Sequence, residues 1–276
     1  MIRRTFQHVP GVGSWRERDL WARGITTWDE FPAAGARPVL SRRLDECARA
    51  RIGEARAALA ARELGKLGAL VPAREHWRLY AEFEREAAFF DVEADGVSVH
   101  VPTVVSLYDA NGLHAFIRGR NLDQLPERIA ASRLWISFNG SCFDLPVLRS
   151  YFGSFPEPEL HVDLRFLCRR VGWSGGLKQI EEALGIARPT HLRGVGGLQA
   201  VALWRSFERV GELEALRFLV EYNLYDSFQL RSVASRGYNR AVDLLACDEP
   251  KVPVFDRGEL LYDLSKLLLE IGPSAP

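Results

Sequence analysis

Two carboxylates stand one residue apart directly after an apolar run, in the segment "FFDVEADGV". On a strand, Asp91 and Glu93 share one face while Val92 points to the other. Neighbouring carboxylates repel each other unless a cation lies between them, and Mg²⁺ prefers oxygen ligands of this kind. The pair therefore indicates a candidate metal site. The alternative is a strand whose acidic end is solvated.

A second group of polar residues follows a later apolar run, in the segment "FNGSCFD". Asn139 ends the predicted strand, and Asp144 lies in the first turn of the next helix, beside Phe143. In a mixed sheet, this strand end is where a crevice can open next to the first strand. The alternative requires no chemistry, because Ser141 and Asp144 have capping-box spacing and Asp144 could itself cap the helix.

A third pair of residues has helical spacing, in "YNLYD". Tyr222 and Asp226 are four residues apart, so on a helix they lie on one face, one turn from each other. A carboxylate there can complete a metal shell, and a phenol one turn away can orient a water. The alternative is an amphipathic helix with an interior tyrosine and a surface aspartate.

The composition limits the classes of protein to consider. A chain of 276 residues with 47% hydrophobic residues can fill the core of one large domain, with or without a small appendage. No apolar run reaches the roughly 18 residues of a membrane helix, and the start lacks a signal peptide's apolar segment, so we expect a cytoplasmic protein that does not bind membranes. Cys47, Cys142, Cys168 and Cys247 are scattered, which predicts neither disulfides nor a structural zinc site.

The net charge of zero offers no overall basic field for nucleic acid. Its distribution is uneven, since residues 1–70 carry 13 Lys and Arg against 8 Asp and Glu, a balance of +5 that leaves −5 for the remainder. A polyanion would therefore meet a basic front end and an acidic main body.

The order of predicted elements indicates a mixed α/β fold. Asn111-Gly112 favours a tight hairpin between the second and third strands, so the first three strands should form an antiparallel meander. The predicted strands are 87–93, 103–109, 113–119, 133–139 and 159–164. The predicted helices around them are 122–132, 145–152, 164–171, 177–184, 197–208 and about 212–236.

Helices are also predicted before the first strand. Ser14 with Glu17, and Thr27 with Glu30, have the spacing of capping boxes, and a solvent-washed helix is expected over 41–66 with another near 74–84. The start "HVPGVG" resembles the second half of a helix-hairpin-helix, in which Gly11 and Gly13 would bind a phosphate through backbone N–H groups. The alternative is a plain turn.

Other residues have two interpretations each. Lys178, after two glycines, is either a phosphate or strand contact or an ordinary exposed lysine. His161 and Asp163 share a strand face and are interpreted as a buried polar pair that supports the site, since they lack further zinc ligands. Trp173 and Trp204 could stack on bases, although the spacing of Trp204 favours a core position.

Together, D-x-E after a first strand, N-x-x-x-F-D after a fourth and Y-x-x-x-D on a late helix resemble the signature of the DEDD exonucleases, in their tyrosine subtype. "AFFDVEADG", "NGSCFDLPVLRSYF", "HVDLRFLCRR", "GGLKQIEEALGI" and "YNLYDSFQL" are similar to the YprB-type ribonuclease H-like domain over about residues 87–236. The resemblance implies an α/β ribonuclease H-like mixed sheet flanked by helices. Its domains would be an N-terminal helical region (1–84), the exonuclease domain (85–245) and a C-terminal helical tail (246–276).

The resemblance also implies an activity. Asp91, Glu93, Asp144 and Asp226 would hold two Mg²⁺ or Mn²⁺ ions, and Tyr222 would position or deprotonate a water. The reaction would be 3′ to 5′ hydrolysis of RNA or DNA at single-stranded ends, with Asn139 and Lys178 contacting the nucleic acid and no obligate protein partner. The alternatives are a non-catalytic nucleic-acid-binding protein and a structure-selective endonuclease.

One departure from the family pattern concerns the residues after the first motif. The family commonly has two threonines there, whereas this chain has Ala94 and Asp95. A hydroxyl that could hold the terminal nucleotide is therefore missing, and an extra acid is present. We expect this difference to affect substrate binding more than metal binding.

Overall fold

The computed structural model describes residues 1–96, 101–246, 248–256 and 263–271. They form two compact units. The first consists of Met1–Glu84 with the described part of Val242–Lys251, and the second of the described residues within Arg85–Ala241 and Val252–Pro276. Cys47, Cys142 and Cys168 carry free thiols, and Cys247 and the last residues, 272–276, lie outside the described parts.

The first unit is helical. Its helices are α1 (Ser14–Ala22), α2 (Arg42–Ala60), α3 (Leu64–Leu70) and α4 (Tyr80–Phe83), with 3₁₀ turns at Ile2–Arg4, Trp28–Glu30 and Ala73–Leu79. A further 3₁₀ turn, Glu84–Glu86, lies at the sequence boundary of the two units. A buried network organises it: Glu17 accepts hydrogen bonds from the Thr5 hydroxyl at 2.7 Å and from Arg78 at 2.8 Å. Within this unit, Arg4 Nε also donates to Glu249 at 2.8 Å, joining the two ends of its sequence.

Three local predictions for this unit are wrong. Helix α1 has Gly13 as its N-cap and no Ser14 capping box, because Glu17 is committed to the buried network. The helix expected over 41–66 stops at Ala60, since Arg62 takes a left-handed φ of 53° before α3 begins. Helix α2 is also not solvent-washed, because it buries Ile52 and Leu59. The second capping box, Thr27 with Glu30, is confirmed.

The second unit contains a five-stranded mixed sheet, as predicted. Its strands are β1 (Ala87–Ala94), β2 (Pro102–Asp109), β3 (Gly112–Ile117), β4 (Leu134–Ser137) and β5 (Leu160–Asp163), in the spatial order β3-β2-β1-β4-β5. Strands β1 to β3 are antiparallel, and β4 and β5 are parallel to β1. Gly112, with a φ of 111°, lies where the predicted β2–β3 hairpin turns.

Helices cover both faces of the sheet. They are α5 (Leu125–Ala130), α6 (Asp144–Phe152), α7 (Leu164–Arg170), α8 (Leu177–Ala183), α9 (Gly197–Val210) and α10 (Leu213–Leu245), followed by α11 (Leu264–Ile271). Two 3₁₀ turns complete the list, at Leu122–Gln124 and Thr190–Leu192. No helix in the described ranges has both the length and the apolar character needed to cross a bilayer.

The alternation of side chains along β1 assigns each sheet face a role. Phe90 and Val92 pack into an apolar core with buried residues of α5 and α6, among them Ile129 of α5. Asp91 and Glu93 alternate with these two residues, so they point to the opposite face of the sheet. Helices α9 and α10 cover that opposite face. The acidic side chains of β1 therefore lie between the sheet and these two helices.

The sheet opens next to the acidic end of β1. Strand β4 pairs with β1 only from Ala87 to Phe89 and ends at Ser137, whereas β1 continues to Ala94. The backbone of β1 beyond Phe89 therefore lacks a β4 partner on this side. A gap of this kind, beyond the carboxyl ends of parallel strands, is where polar side chains can gather.

Candidate active site

Three of the predicted acids form one compact group. Asp91, Glu93 and Asp226 each offer a carboxylate oxygen, and these oxygens all lie within 4.8 Å of one another. Two come from one face of β1 and the third from α10, which packs over that face. Glu93 and Asp226 are buried, and Asp91 is half-buried. The fold thus brings together side chains that are more than 130 positions apart in the sequence.

Asp144 lies beside this group without belonging to it. It is the first residue of α6, not the N-cap, which is Phe143. Its Oδ1 accepts a hydrogen bond of 2.9 Å from the backbone N–H of Val92, the residue between the two β1 acids. Strand β4 pairs with β1 only as far as Phe89, so it provides no partner for the Val92 N–H. Asp144 accepts this hydrogen bond instead.

The turn that carries Asp144 is tightly built. A Cβ on Gly140 would lie 2.0 Å from Ser137 Oγ and 3.3 Å from Asp144 Oδ2, so only glycine fits there. Phe143 packs against the apolar core shared with α5 and α6. The turn thus places Asp144 by close backbone packing.

The predicted polar pair on β5 holds the same turn. Asp163 accepts hydrogen bonds from the backbone N–H groups of Asn139 at 2.8 Å and Ser141 at 3.1 Å. His161 Nε2 is 2.8 Å from Ser137 Oγ. Asn139 itself has a φ of 66°, and its side-chain oxygen accepts a hydrogen bond from Arg165.

Two cations contact the carboxylate from α10. Lys178 Nζ lies 3.2 Å from Asp226 Oδ2 and also donates to the Tyr222 hydroxyl. Arg188 donates to Asp226 Oδ1 and makes two further bonds to Glu181, of 2.6 and 2.7 Å. Sequence reasoning found Lys178 but missed Arg188, because no motif or period marks the irregular segment after α8. It also missed Glu181, a residue of α8 itself, because its partner Arg188 lies outside the helix.

Asn223 is a further residue that sequence reasoning missed. Its Nδ2 donates to Asp91 Oδ2 at 2.8 Å and to the backbone carbonyl of Asp91 at 3.3 Å. The backbone carbonyl of Asn223 accepts a hydrogen bond of 2.7 Å from the Ser106 hydroxyl. The side chain is fully buried. Asn223 therefore fixes the orientation of Asp91, and its place directly after Tyr222 in "YNLYD" was the available signal.

Crowding and burial shift the acidity of the group. Burial and the charge of Asp226 raise the pKa of Asp91 to about 7. Burial and the charge of Asp91 raise the pKa of both Glu93 and Asp144 well above the usual range. Such a set of oxygen donors fits a hard divalent cation, whose charge would relieve the repulsion.

Tyr222 lies one turn from Asp226 on α10, as predicted, and is buried. Lys178 Nζ lies 4.1 Å from the centre of its ring. Burial and the charges of Asp226 and Glu93 raise the pKa of the phenol above its usual range. Its oxygen accepts the hydrogen bond from Lys178.

The remaining predicted residues lie in other places. Gly11, with a φ of 88°, and Gly13, the N-cap of α1, belong to the first unit. Ala94 is buried in β1, and Asp95 pairs with Arg118 at 3.4 Å. The extra acid next to the first motif is thus partly neutralised within the chain.

A family model for the RNase H superfamily matches residues 88–237, more than half of the chain. The chain belongs to the RNase H superfamily. The resemblance drawn from the motifs is therefore confirmed at the level of this superfamily, and so is the mixed sheet that it implied.

Among solved structures, this RNase H superfamily member is similar to the family B DNA polymerase from the hyperthermophilic archaeon Pyrobaculum calidifontis. The two share 12% identity with a TM-score of 0.40, over 58% of this chain and 27% of the polymerase chain. The chain thus spans little more than a quarter of that polymerase's length. No curated protein matches the chain.

Proposed function

We propose that this RNase H superfamily member is a metal-dependent 3′ to 5′ exonuclease that acts on single-stranded RNA or DNA ends. The observation that carries the proposal is the group of Asp91, Glu93 and Asp226, whose carboxylate oxygens lie within 4.8 Å of one another. Membership in a superfamily that includes nucleases supports the same direction.

In this proposal, the carboxylates hold Mg²⁺ or Mn²⁺. Asp91, Glu93 and Asp226 are the main ligands, and Asp144, beside them, contributes to a second ion. Metal ions bound there would activate a water and neutralise the charge that grows on the phosphate. Asn223 fixes Asp91 through its 2.8 Å hydrogen bond, so one ligand is already oriented.

Other side chains would bind the substrate. Tyr222, one helical turn from Asp226, would position or deprotonate the attacking water. Lys178 supplies positive charge beside the carboxylates for the phosphate. Asn139, whose backbone N–H donates to Asp163, would contact the nucleic acid. Gly11 and Gly13 of the first unit would bind a phosphate through backbone N–H groups.

The test is hydrolysis of 5′-labelled single-stranded RNA and DNA with Mg²⁺ or Mn²⁺. We expect a ladder that shortens from the 3′ end, lost in Asp226→Asn and kept in the matched control Asp123→Asn, an exposed carboxylate. A circular strand should stay intact, because an exonuclease needs an end. Equal degradation by wild type and Asp226→Asn would mean contamination and would remove support for the proposal.

A second function is favoured by one observation. Lys178 and Arg188 already pair with Asp226, so the acidic group contains cationic partners from the chain itself. This arrangement suits a nucleic-acid-binding protein that keeps the fold without turnover. Fluorescence anisotropy with the same strands separates the two functions, since binding without any shortening with either metal would favour the second.

A further inference from the structure

A cleft of about 540 Å³ lies next to the candidate site. Its lining includes Asn139, Arg165, Arg169 and Trp173, and none of the described residues that line it is an aspartate or glutamate. The cleft is therefore positively charged, in contrast to the acidic group nearby. Chains of phosphates are the ligands that such a lining attracts.

The two arginines are presented from one helix. Arg165 and Arg169 are four residues apart on α7, so they lie on the same face of it. Arg165 donates to the side chain of Asn139, which fixes its guanidinium, and Arg169 is exposed. Their separation along the helix suits successive contacts along a phosphate backbone.

Trp173 is held in place at the end of the same helix. Gly172 adopts a left-handed φ of 84°, and the Trp173 N–H donates to the Cys168 carbonyl at 2.8 Å. The ring packs against Gly237 of α10, where an added Cβ would lie 3.6 Å from the ring. A half-buried, fixed indole in a basic cleft is a platform on which a base can stack.

The cleft borders the acidic group through shared elements. Asn139 lines the cleft and belongs to the turn that carries Asp144. Gly176 also lines it, and Lys178, two residues later, contacts Asp226. A nucleic-acid strand that lies in the cleft can therefore reach the carboxylates across the start of α8.

We propose that this cleft binds a single-stranded stretch of the nucleic acid next to the nucleotide that is cleaved. Arg165 and Arg169 contact its phosphates, and Trp173 stacks on an unpaired base. The inference rests on the proposed function, because that function places the cleaved phosphate at Asp91 and Asp226.

The test is fluorescence anisotropy of the full chain with a labelled single strand of about 12 nucleotides, in EDTA so that no hydrolysis occurs. We expect Arg169→Gln to weaken binding roughly threefold to tenfold and to reduce the salt slope by about one. Trp173→Leu should weaken binding by at least about fivefold, Trp173→Phe by less, and neither should change the slope. The matched control is Arg170→Gln, an exposed neighbour outside the cleft lining.

Each outcome decides the proposal. Wild-type affinity in Arg169→Gln and the Trp173 variants, or an equal loss in Arg170→Gln, overturns it. Should Trp173→Leu fail to fold, Trp173→Phe and the comparison of Arg169→Gln with Arg170→Gln still decide. If the wild type hydrolyses the strand but the cleft variants bind it normally, only the cleft proposal is refuted. If binding depends on the cleft residues but no hydrolysis occurs, only the nuclease function is refuted.

Discussion

At the residue scale, the carboxylate of Asp226 has both acidic and basic neighbours. It belongs to the compact acidic group, and it also pairs with Lys178 and Arg188. Burial alone would lower the pKa of Arg188, but the charges of Asp226 and Glu181 outweigh it and raise that pKa. Arg188 therefore stays charged and compensates two buried acids.

We predict that Arg188→Leu lowers the free energy of unfolding by about 3 to 5 kcal/mol, because Glu181 would remain buried without a cation. The side chains of Arg188 and Glu181 are only 7% and 2% exposed, so water cannot replace the lost partner. Urea denaturation followed by circular dichroism measures the change.

The control for Arg188 is the double variant Arg188→Leu with Glu181→Leu. Removing both charges leaves no uncompensated acid at position 181, so part of the stability should return. A double variant that is as unstable as the sum of the two single variants would contradict this account of the pair.

The spacing rules located the acids but not their partners. Alternation on a strand placed Asp91 with Glu93, and the four-residue helical spacing placed Tyr222 with Asp226. Arg188 follows no such rule, because it lies on an irregular segment whose path depends on the packing of the whole unit. Only the folded chain could show it.

At the element scale, the turn between β4 and α6 determines where Asp144 lies. Its backbone passes so close to Ser137 that a side chain at position 140 has no room. We predict that Gly140→Ala lowers the free energy of unfolding by about 1 to 3 kcal/mol and displaces Asp144. Thermal unfolding measures the loss of stability.

The control for this turn is Gly197→Ala. Gly197 begins α9 without a positive φ, and a Cβ there meets no atom within 4 Å. This variant should be as stable as the wild type or slightly more stable. Equal stability of Gly140→Ala and wild type would show that the turn can relax.

The prediction of elements succeeded where patterns are local. The strands of the sheet follow from alternating apolar residues and the Asn111-Gly112 turn. The prediction of a Ser14 capping box was wrong because Glu17 instead accepts hydrogen bonds from Thr5 and Arg78. Partners from distant parts of the chain are not visible in the sequence.

At the scale of the whole molecule, metal binding is linked to folding. A cation that binds only the folded chain stabilises it by about 2.7 kcal/mol when its free concentration is about 100 times the dissociation constant. We predict that Mn²⁺ raises the midpoint of thermal unfolding and that EDTA reverses the shift. Differential scanning calorimetry measures it.

The control for metal binding repeats the scan with two variants. Asp226→Asn should lose the Mn²⁺ shift, while Asp123→Asn, exposed and outside the acidic group, should keep it. An equal shift in all three chains would place the metal elsewhere and contradict the proposed ligands.

The first unit is built from two segments that lie far apart in the sequence. Arg4 pairs with Glu249, and residues 242–251 belong to the same unit as residues 1–84. During translation, the helices of this unit therefore cannot meet all their partners until position 251 has left the ribosome. At a synthesis rate of about 5 to 20 residues per second, roughly 10 to 30 s pass before the last partner is available. During this time the apolar faces of these helices are exposed to chaperones.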